Sequence, residues 1–258
     1  VHEGEIVMAE VDSRVLATTP AATAQTRTRR KFYVVLAVLM TILIGIGFWP
    51  SYYGPLVRGA AQAPVILHIH GVVFIGWMAL LILQTTLAAR GKIRAHRALG
   101  NIGIGYAIVL WLMGLLVSFV APVMHVNNGE WTVDEAATFL PIPLGDMVLF
   151  GGFFAAAVWY RNKSEIHKRL MVMATIAVVF AAAFRLQNAG VPMSWAIVVW
   201  YVPLVIAMAY DFFTRGRVHT VYWIGAAVMA VALLRLPFAL GTSEFWLGIG
   251  RPIIESLT

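Results

Sequence analysis

The chain has 258 residues, of which 60% are hydrophobic and only 12% charged, with no cysteine and a formal charge of +7. Soluble domains carry about 25% charged residues, so half of the usual charge is missing, and a water-soluble fold of this size has no means of hiding so much apolar surface. Without cysteine there are no disulfides, thiolate metal sites or thiol nucleophiles.

Residues 1–31 are polar and mixed, ending in "TTPAATAQTRTRRK" at 18–31. They lack the apolar core and small-residue cleavage site of a signal peptide, and a flexible cytoplasmic tail is expected. Seven apolar segments follow, at roughly 32–49, 63–89, 97–121, 139–160, 168–188, 192–213 and 219–240. About 20 residues of helix cross a hydrocarbon core of about 30 Å, so 32–240 is predicted to be an all-α polytopic membrane bundle of about seven transmembrane helices. Residues 241–258 then form a C-terminal segment on the far side.

The basic residues give the orientation. Arg27, Arg29, Arg30 and Lys31 precede the first segment; Arg90, Lys92, Arg94 and Arg97 lie between the second and third; Arg161, Lys163, Lys168 and Arg169 lie between the fourth and fifth; Arg215 and Arg217 lie between the sixth and seventh. Every second connection is basic, and the others hold little beyond Arg58. The positive-inside rule places these connections and the N-terminus in the cytoplasm and the C-terminus in the periplasm. The expected location is the bacterial inner membrane, with the lipid bilayer as partner and other membrane subunits as further candidates. Charge arranged in this way marks membrane flanks, so nucleic acid is not an expected partner.

The longest outer connection, 122–138, holds His125, Glu130, Asp134 and Glu135, and Thr132 followed by Glu135 fits a capping box that starts a short surface helix. The third segment begins "GNIGIGY", where Gly100, Gly103 and Gly105 are expected to let helix backbones approach closely.

Depth sorts the ionisable residues into two layers. In the outer one lie His68, His70, Asp146, Arg185 and Arg235; an Asp146–Arg185 or Asp146–Arg235 ion pair is expected, since intramembrane charges are costly and usually paired or functional. His68 and His70 are about 200° apart around a helix, so only one faces the bundle. The inner layer holds His96, His167 and His219, each at the start of an outward-running helix, with Glu165 and Asp211 at the same level. Bis-histidine haem ligation needs two imidazoles at one depth on different helices. His96 and His167 are candidates for haem b, with Arg97, Lys168 and Arg169 available to its propionates. His96, His167 and His219 are alternatively candidates for a transition metal ion with an open coordination position. The four lysines, Lys31, Lys92, Lys163 and Lys168, all sit at cytoplasmic ends, so a retinal Schiff base within the last helix is excluded, and no Gly-x-Ser-x-Gly elbow is present for acyl transfer.

"LHIHGVVFIGWMALLILQ" (67–84), "AHRALGNIG" (95–103), "IPLGDMVLFG" (142–151), "EIHKRLMVMAT" (165–175) and "GRVHTVYW" (216–223) occur in an order that resembles a widespread family of bacterial multi-pass membrane proteins. The resemblance covers nearly the whole chain after residue 31. It implies that His70, His96, Asp146, His167, Arg169 and His219 are motif positions, and it implies no particular activity. More loosely, the helix starts at "HR" and "HKRLM" resemble small helical proteins of haem and cytochrome oxidase biogenesis. Three functions are therefore expected to compete: a redox or cofactor-handling protein with a histidine-lined haem or metal site near the cytoplasmic face, a non-catalytic accessory subunit of a larger membrane complex, and a zinc-dependent membrane hydrolase.

Overall fold

The computed structural model describes residues 20–60, 63–236 and 243–258, with side chains from Lys31 onward. Among the described residues every regular element is helical. Helix α1 runs Pro20–Phe48, α2 Val65–Ala89, α3 Ile93–Asn127, α4 Val133–Phe139, α5 Pro141–Trp159, α6 Ser164–Arg185, α7 Met193–Arg215, α8 Thr220–Ala232 and α9 Glu244–Glu255. The backbone of α1 starts at Pro20, so the expected tail is helical from that residue on; the first 19 residues lie outside the described ones.

Among the described residues six stretches are long and apolar enough to cross a membrane: Lys31–Val57, Val65–Ala89, Ile93–Asn127, Val133–Trp159, Ser164–Ala189 and Met193–Arg215. The expected seventh crossing is only partly within view. Thr220–Arg235 is apolar but shorter, and at about 1.5 Å per residue it falls short of a 30 Å hydrocarbon core. The remainder of that expected segment, 237–240, lies outside the described residues.

The surface of the bundle is apolar. Val35, Ile42 and Ile46 on α1, Val72 and Ile75 on α2, Ile108 and Leu112 on α3, and Val205 and Phe213 on α7 are all exposed. Helices satisfy their own backbone polar groups, so such faces are stable against lipid and not against water. The chain is thus a multi-pass helical membrane protein.

Helix α6 is the central element, packed by α1, α5, α7 and α8. Its side chains from Leu170 to Phe180 are buried with the single exception of Met171. Alanines 174, 177, 182 and 183 keep it thin, so neighbouring backbones come close, as small residues allow in lipid. The closest approach is at Gly47 of α1, where a Cβ would lie 2.6 Å from the Ala182 carbonyl carbon. The expected role of the "GNIGIGY" glycines is only partly met: Gly103 faces Leu80, whereas nothing lies within 4 Å of a Cβ built on Gly105.

At the end away from the basic connections, α1 finishes in a π-helical turn, Trp49–Tyr53, that contains Pro50, and α6 finishes in a 3-10 turn, Leu186–Ala189. A second, smaller core sits at this end. Helix α9 lays Leu247 and Ile254 against Ala136, Ala137 and Leu140, Trp246 Nε1 donates to the Ala137 carbonyl at 2.7 Å, and Arg251 pairs with Asp134. The capping box is present: Thr132 Oγ1 accepts from Glu135 N at 3.2 Å, and Thr132 N donates to the Glu135 carboxylate at 2.7 Å.

Candidate functional sites at the two ends of the bundle

Arg169 and Arg185 are 16 residues apart on α6, about 24 Å along its axis, and each anchors one polar layer. The two layers differ in one physical respect, which is how completely their charges are satisfied.

At the basic end, Arg169 is fully buried. Its Nε and Nη2 donate to the two carboxylate oxygens of Asp211 at 2.8 and 2.5 Å, and its Nη1 donates to the Glu165 carbonyl at 2.6 Å and carboxylate at 2.9 Å. Glu165 also accepts from Lys168 at 2.6 Å and from Arg215, while Asp211 accepts from the main-chain N–H of His219 at 3.3 Å. Every charge in this network has a partner. A guanidinium forked onto a carboxylate is the strong form of such a pair, and the arrangement locks α6, α7 and the start of α8 together.

This bears on the residues expected around a cofactor. Lys168 and Arg169, assigned to haem propionates, are already committed to Glu165 and Asp211. Of the expected set only Arg97 is exposed and outside the network. His219 is likewise occupied, as the N-cap of α8, with Nδ1 accepting from Val221 N at 3.2 Å. Among the described residues no group of three His, Asp or Glu side chains is placed to hold a metal ion, so the expected His96–His167–His219 cluster is not formed.

His96 and His167 do meet. Their ring centroids are 6.5 Å apart with planes at 77°, although α3 and α6 are separated in sequence by α4 and α5. His167 Nδ1 donates to the Ala157 carbonyl at 2.8 Å, leaving Nε2 with a free lone pair. His96 is held by Gln84. With the Gln84 amide turned so that its nitrogen faces the ring, that nitrogen donates to His96 Nδ1 at 2.7 Å and to the His96 carbonyl at 3.1 Å, and the Gln84 oxygen accepts from Gly100 N at 2.8 Å. The opposite orientation sets like groups against each other. His96 Nδ1 also lies 3.3 Å from the Gln84 main-chain carbonyl, so Gln84 offers a partner to this nitrogen in either tautomer.

The far end is different. Asp146 and Arg235 form the expected ion pair, at 2.5 Å, with the Asp146 side chain 3% and the Arg235 side chain 10% exposed. Gly145 makes room for it, since a Cβ there would lie 2.8 Å from Arg235 Cδ. The Arg235 guanidinium also rests over Phe180, 5.1 Å from the ring centre. Arg185 lies over Phe48 at 4.4 Å and donates to the Ala181 carbonyl at 3.1 Å. Among the described residues no carboxylate is within ion-pair distance of it. His70 is the inward-facing histidine, its ring 4.2 Å from that of Phe74 and tilted 35° to it. His68 instead shares a 2.8 Å hydrogen bond with Tyr52 from the π-helical turn. Here several buried polar atoms have no partner: His70 Nδ1, Asp146 Oδ2, and Arg235 Nε and Nη1.

The sequence pointed to every ionisable residue named in this layer except Tyr52, and it singled out neither Gly145 nor the aromatic rings of Phe48, Phe74 and Phe180. Its place directly before the aspartate in "PLGDM" was the available signal for Gly145. No protein-family model, curated protein or solved structure matches the chain.

Proposed function

We propose that this is a protein of the bacterial cytoplasmic membrane that binds a small polar ligand in the periplasmic half of its bundle, among His70, Asp146, Arg185 and Arg235. The observation that carries the reading is the contrast between the layers. Buried polar atoms are nearly always hydrogen-bonded, and leaving one unpaired costs about 1–3 kcal/mol. The Arg169–Asp211 layer pairs all its charges, as a structural lock should. The His70–Asp146–Arg235 layer leaves four buried donor or acceptor atoms open on three chain segments, which a bound molecule with complementary groups would satisfy. Native mass spectrometry of protein released from lipid nanodiscs tests this. A stoichiometric adduct is expected in the wild type and lost in His70→Phe; a bare wild-type mass overturns the reading.

A second reading follows from the inner histidines. Two metal–nitrogen bonds of about 2.0–2.1 Å plus two half-rings span close to the 6.5 Å separating His96 and His167, and His167 Nε2 is free. A haem iron or a transition metal ion held there would supply redox chemistry. The Gln84 amide would then turn over so that His96 Nδ1 donates and Nε2 binds the metal. Oxidised and dithionite-reduced absorption spectra, with a metal assay on the same sample, decide it. A reducible Soret band or stoichiometric metal lost in His167→Ala is the expected result, and a colourless, metal-free protein from membranes never exposed to chelator sinks it.

A further inference from the structure

Helix α9 has three faces, one buried, one charged and one apolar yet exposed. We infer that α9 is an interfacial helix: it seats Phe245 and Ile249 among the phospholipid acyl chains of the leaflet at the end away from the basic connections, and keeps its charged side in water.

At about 100° per residue, Leu247, Gly250 and Ile254 share one face of α9, and these are its buried residues. Leu247 and Ile254 pack on α4, and Gly250 permits the contact, since a Cβ there would lie 2.9 Å from Ala137 Cβ. Glu244, Arg251 and Glu255 share a second face, from which Arg251 reaches Asp134. Phe245 and Ile249 stand one turn apart on the third, and are 76% and 42% exposed.

Two rulers give the level of α9 against the bilayer. Trp159 is exposed directly before the basic connection that holds Arg161 and Lys163, where an aromatic residue marks a membrane boundary. Leu140 keeps helical dihedrals between α4 and α5. Ala137, 22 residues before Trp159, therefore stands about 33 Å from that boundary. On α3, Phe119 is likewise 22 residues beyond Arg97, and with Val123 and Val126 it packs against the same small core. Both rulers end just past a hydrocarbon core of about 30 Å, at the depth where amphipathic helices rest with one face in the acyl boundary. Below that level α3 exposes Ile108, Leu112 and Leu116, so a lipid-facing surface runs up to α9. The helix is also inclined. Trp246 bonds the Ala137 carbonyl, whereas Arg251 pairs with Asp134, about 4.5 Å nearer the water. The end that carries Phe245 is thus the deeper one. His219 is tied to Asp211 at the basic end, so the chain passes from one end of the bundle to the other before α9, and α9 anchors the end of that passage.

The chain has no cysteine, so single cysteines carry a nitroxide label without background. The test uses the full chain in phosphatidylcholine nanodiscs, with Phe245→Cys, Ile249→Cys and Glu255→Cys labelled in turn. Leu112→Cys on the lipid-facing side of α3 is the lipid reference, and Asn128→Cys in the outer connection is the water reference. Power saturation measures the access of oxygen, which concentrates among acyl chains, and of a nickel chelate, which stays in water. The oxygen-to-nickel ratio at 245 and 249 is expected to be several-fold above that at 255 and close to that at 112. Ile249→Cys reads the same flank should Phe245→Cys fail to fold. Ratios at 245 and 249 that match Asn128→Cys overturn the inference, because the flank then faces water. Poor access of both reagents overturns it as well, because a protein surface, a second copy or another chain, then covers the flank in place of lipid.

Discussion

Asp146 on α5 and Arg235, in the 3-10 turn after α8, are 89 positions apart and meet at 2.5 Å, which ties the last turn of α8 to the middle of the bundle. Both side chains are almost wholly buried. Removing one partner of such a pair leaves an uncompensated buried charge and costs about 3–5 kcal/mol. Arg235→Gln is therefore expected to destabilise more than the double variant Arg235→Gln/Asp146→Asn. A double-mutant cycle from thermal unfolding in one detergent measures the difference; additive single losses would mean the two groups do not interact.

The network at the other end makes a parallel claim. Arg169 is held by Asp211 and Glu165. Arg169→Met is expected to cost about 3–5 kcal/mol, whereas Arg169→Met/Asp211→Leu should recover much of that loss, because an apolar pair of similar volume replaces the ion pair. Folded yield and melting temperature read it out. A double variant as unstable as Arg169→Met would show that the charges are needed for more than mutual neutralisation.

Gly47 is a steric requirement. Its missing side chain admits the Ala182 main chain of α6, and Gly47→Val should push α1 off the central helix at a cost of about 1–3 kcal/mol. Gly105→Val, on an open face, should be tolerated by comparison. Cross-linking yield between cysteines introduced on α1 and α6 reports the displacement, and equal tolerance of the two variants would refute the close packing.

His219 links pH to the start of α8. Its Nδ1 accepts from Val221 N, a role open only to the ring without a proton on that nitrogen. Burial first, and then the positive charge of Arg169, hold its pKa below the usual 6.5. A histidine with a lowered folded pKa binds protons more readily when unfolded, so its contribution is complete above about pH 6.5 and is lost as pH falls through the folded value. The protection of the Val221 and Tyr222 amides against hydrogen exchange, relative to the intrinsic rate at each pH, should therefore fall between pH 7 and 5. In His219→Ser, whose hydroxyl caps without titrating, this change should vanish; persistence in the variant would assign it to another group.

The features legible in the chain were those that repeat or act locally. Apolar runs of membrane-spanning length gave the helical bundle, since lipid leaves no other way to satisfy the backbone. Thr132 and Glu135 gave their capping box because both partners lie within one turn of helix. The alternating basic connections separated one end of every span from the other, and so sorted His70, Asp146, Arg185 and Arg235 from His96, His167 and Arg169 before any contact was known.

Which of those residues are free to act was decided by tertiary structure. Arg169 and Arg185 sit on the same helix, yet among the described residues one is flanked by two carboxylates and the other has none within ion-pair distance. Glu165 reaches Arg169 from one turn earlier on α6, but Asp211 reaches it only because α7 packs on α6 with the right rotation. The inward turn of His70, the choice of Arg235 over Arg185 as partner of Asp146, and the diversion of His219 into a helix cap depend likewise on how helices distant in sequence rotate against one another. Periodicity determines that a helix forms and roughly where it ends. It does not determine which face meets which neighbour, because in lipid that choice rests on close packing and on pairing of polar groups, and both are properties of two helices at once.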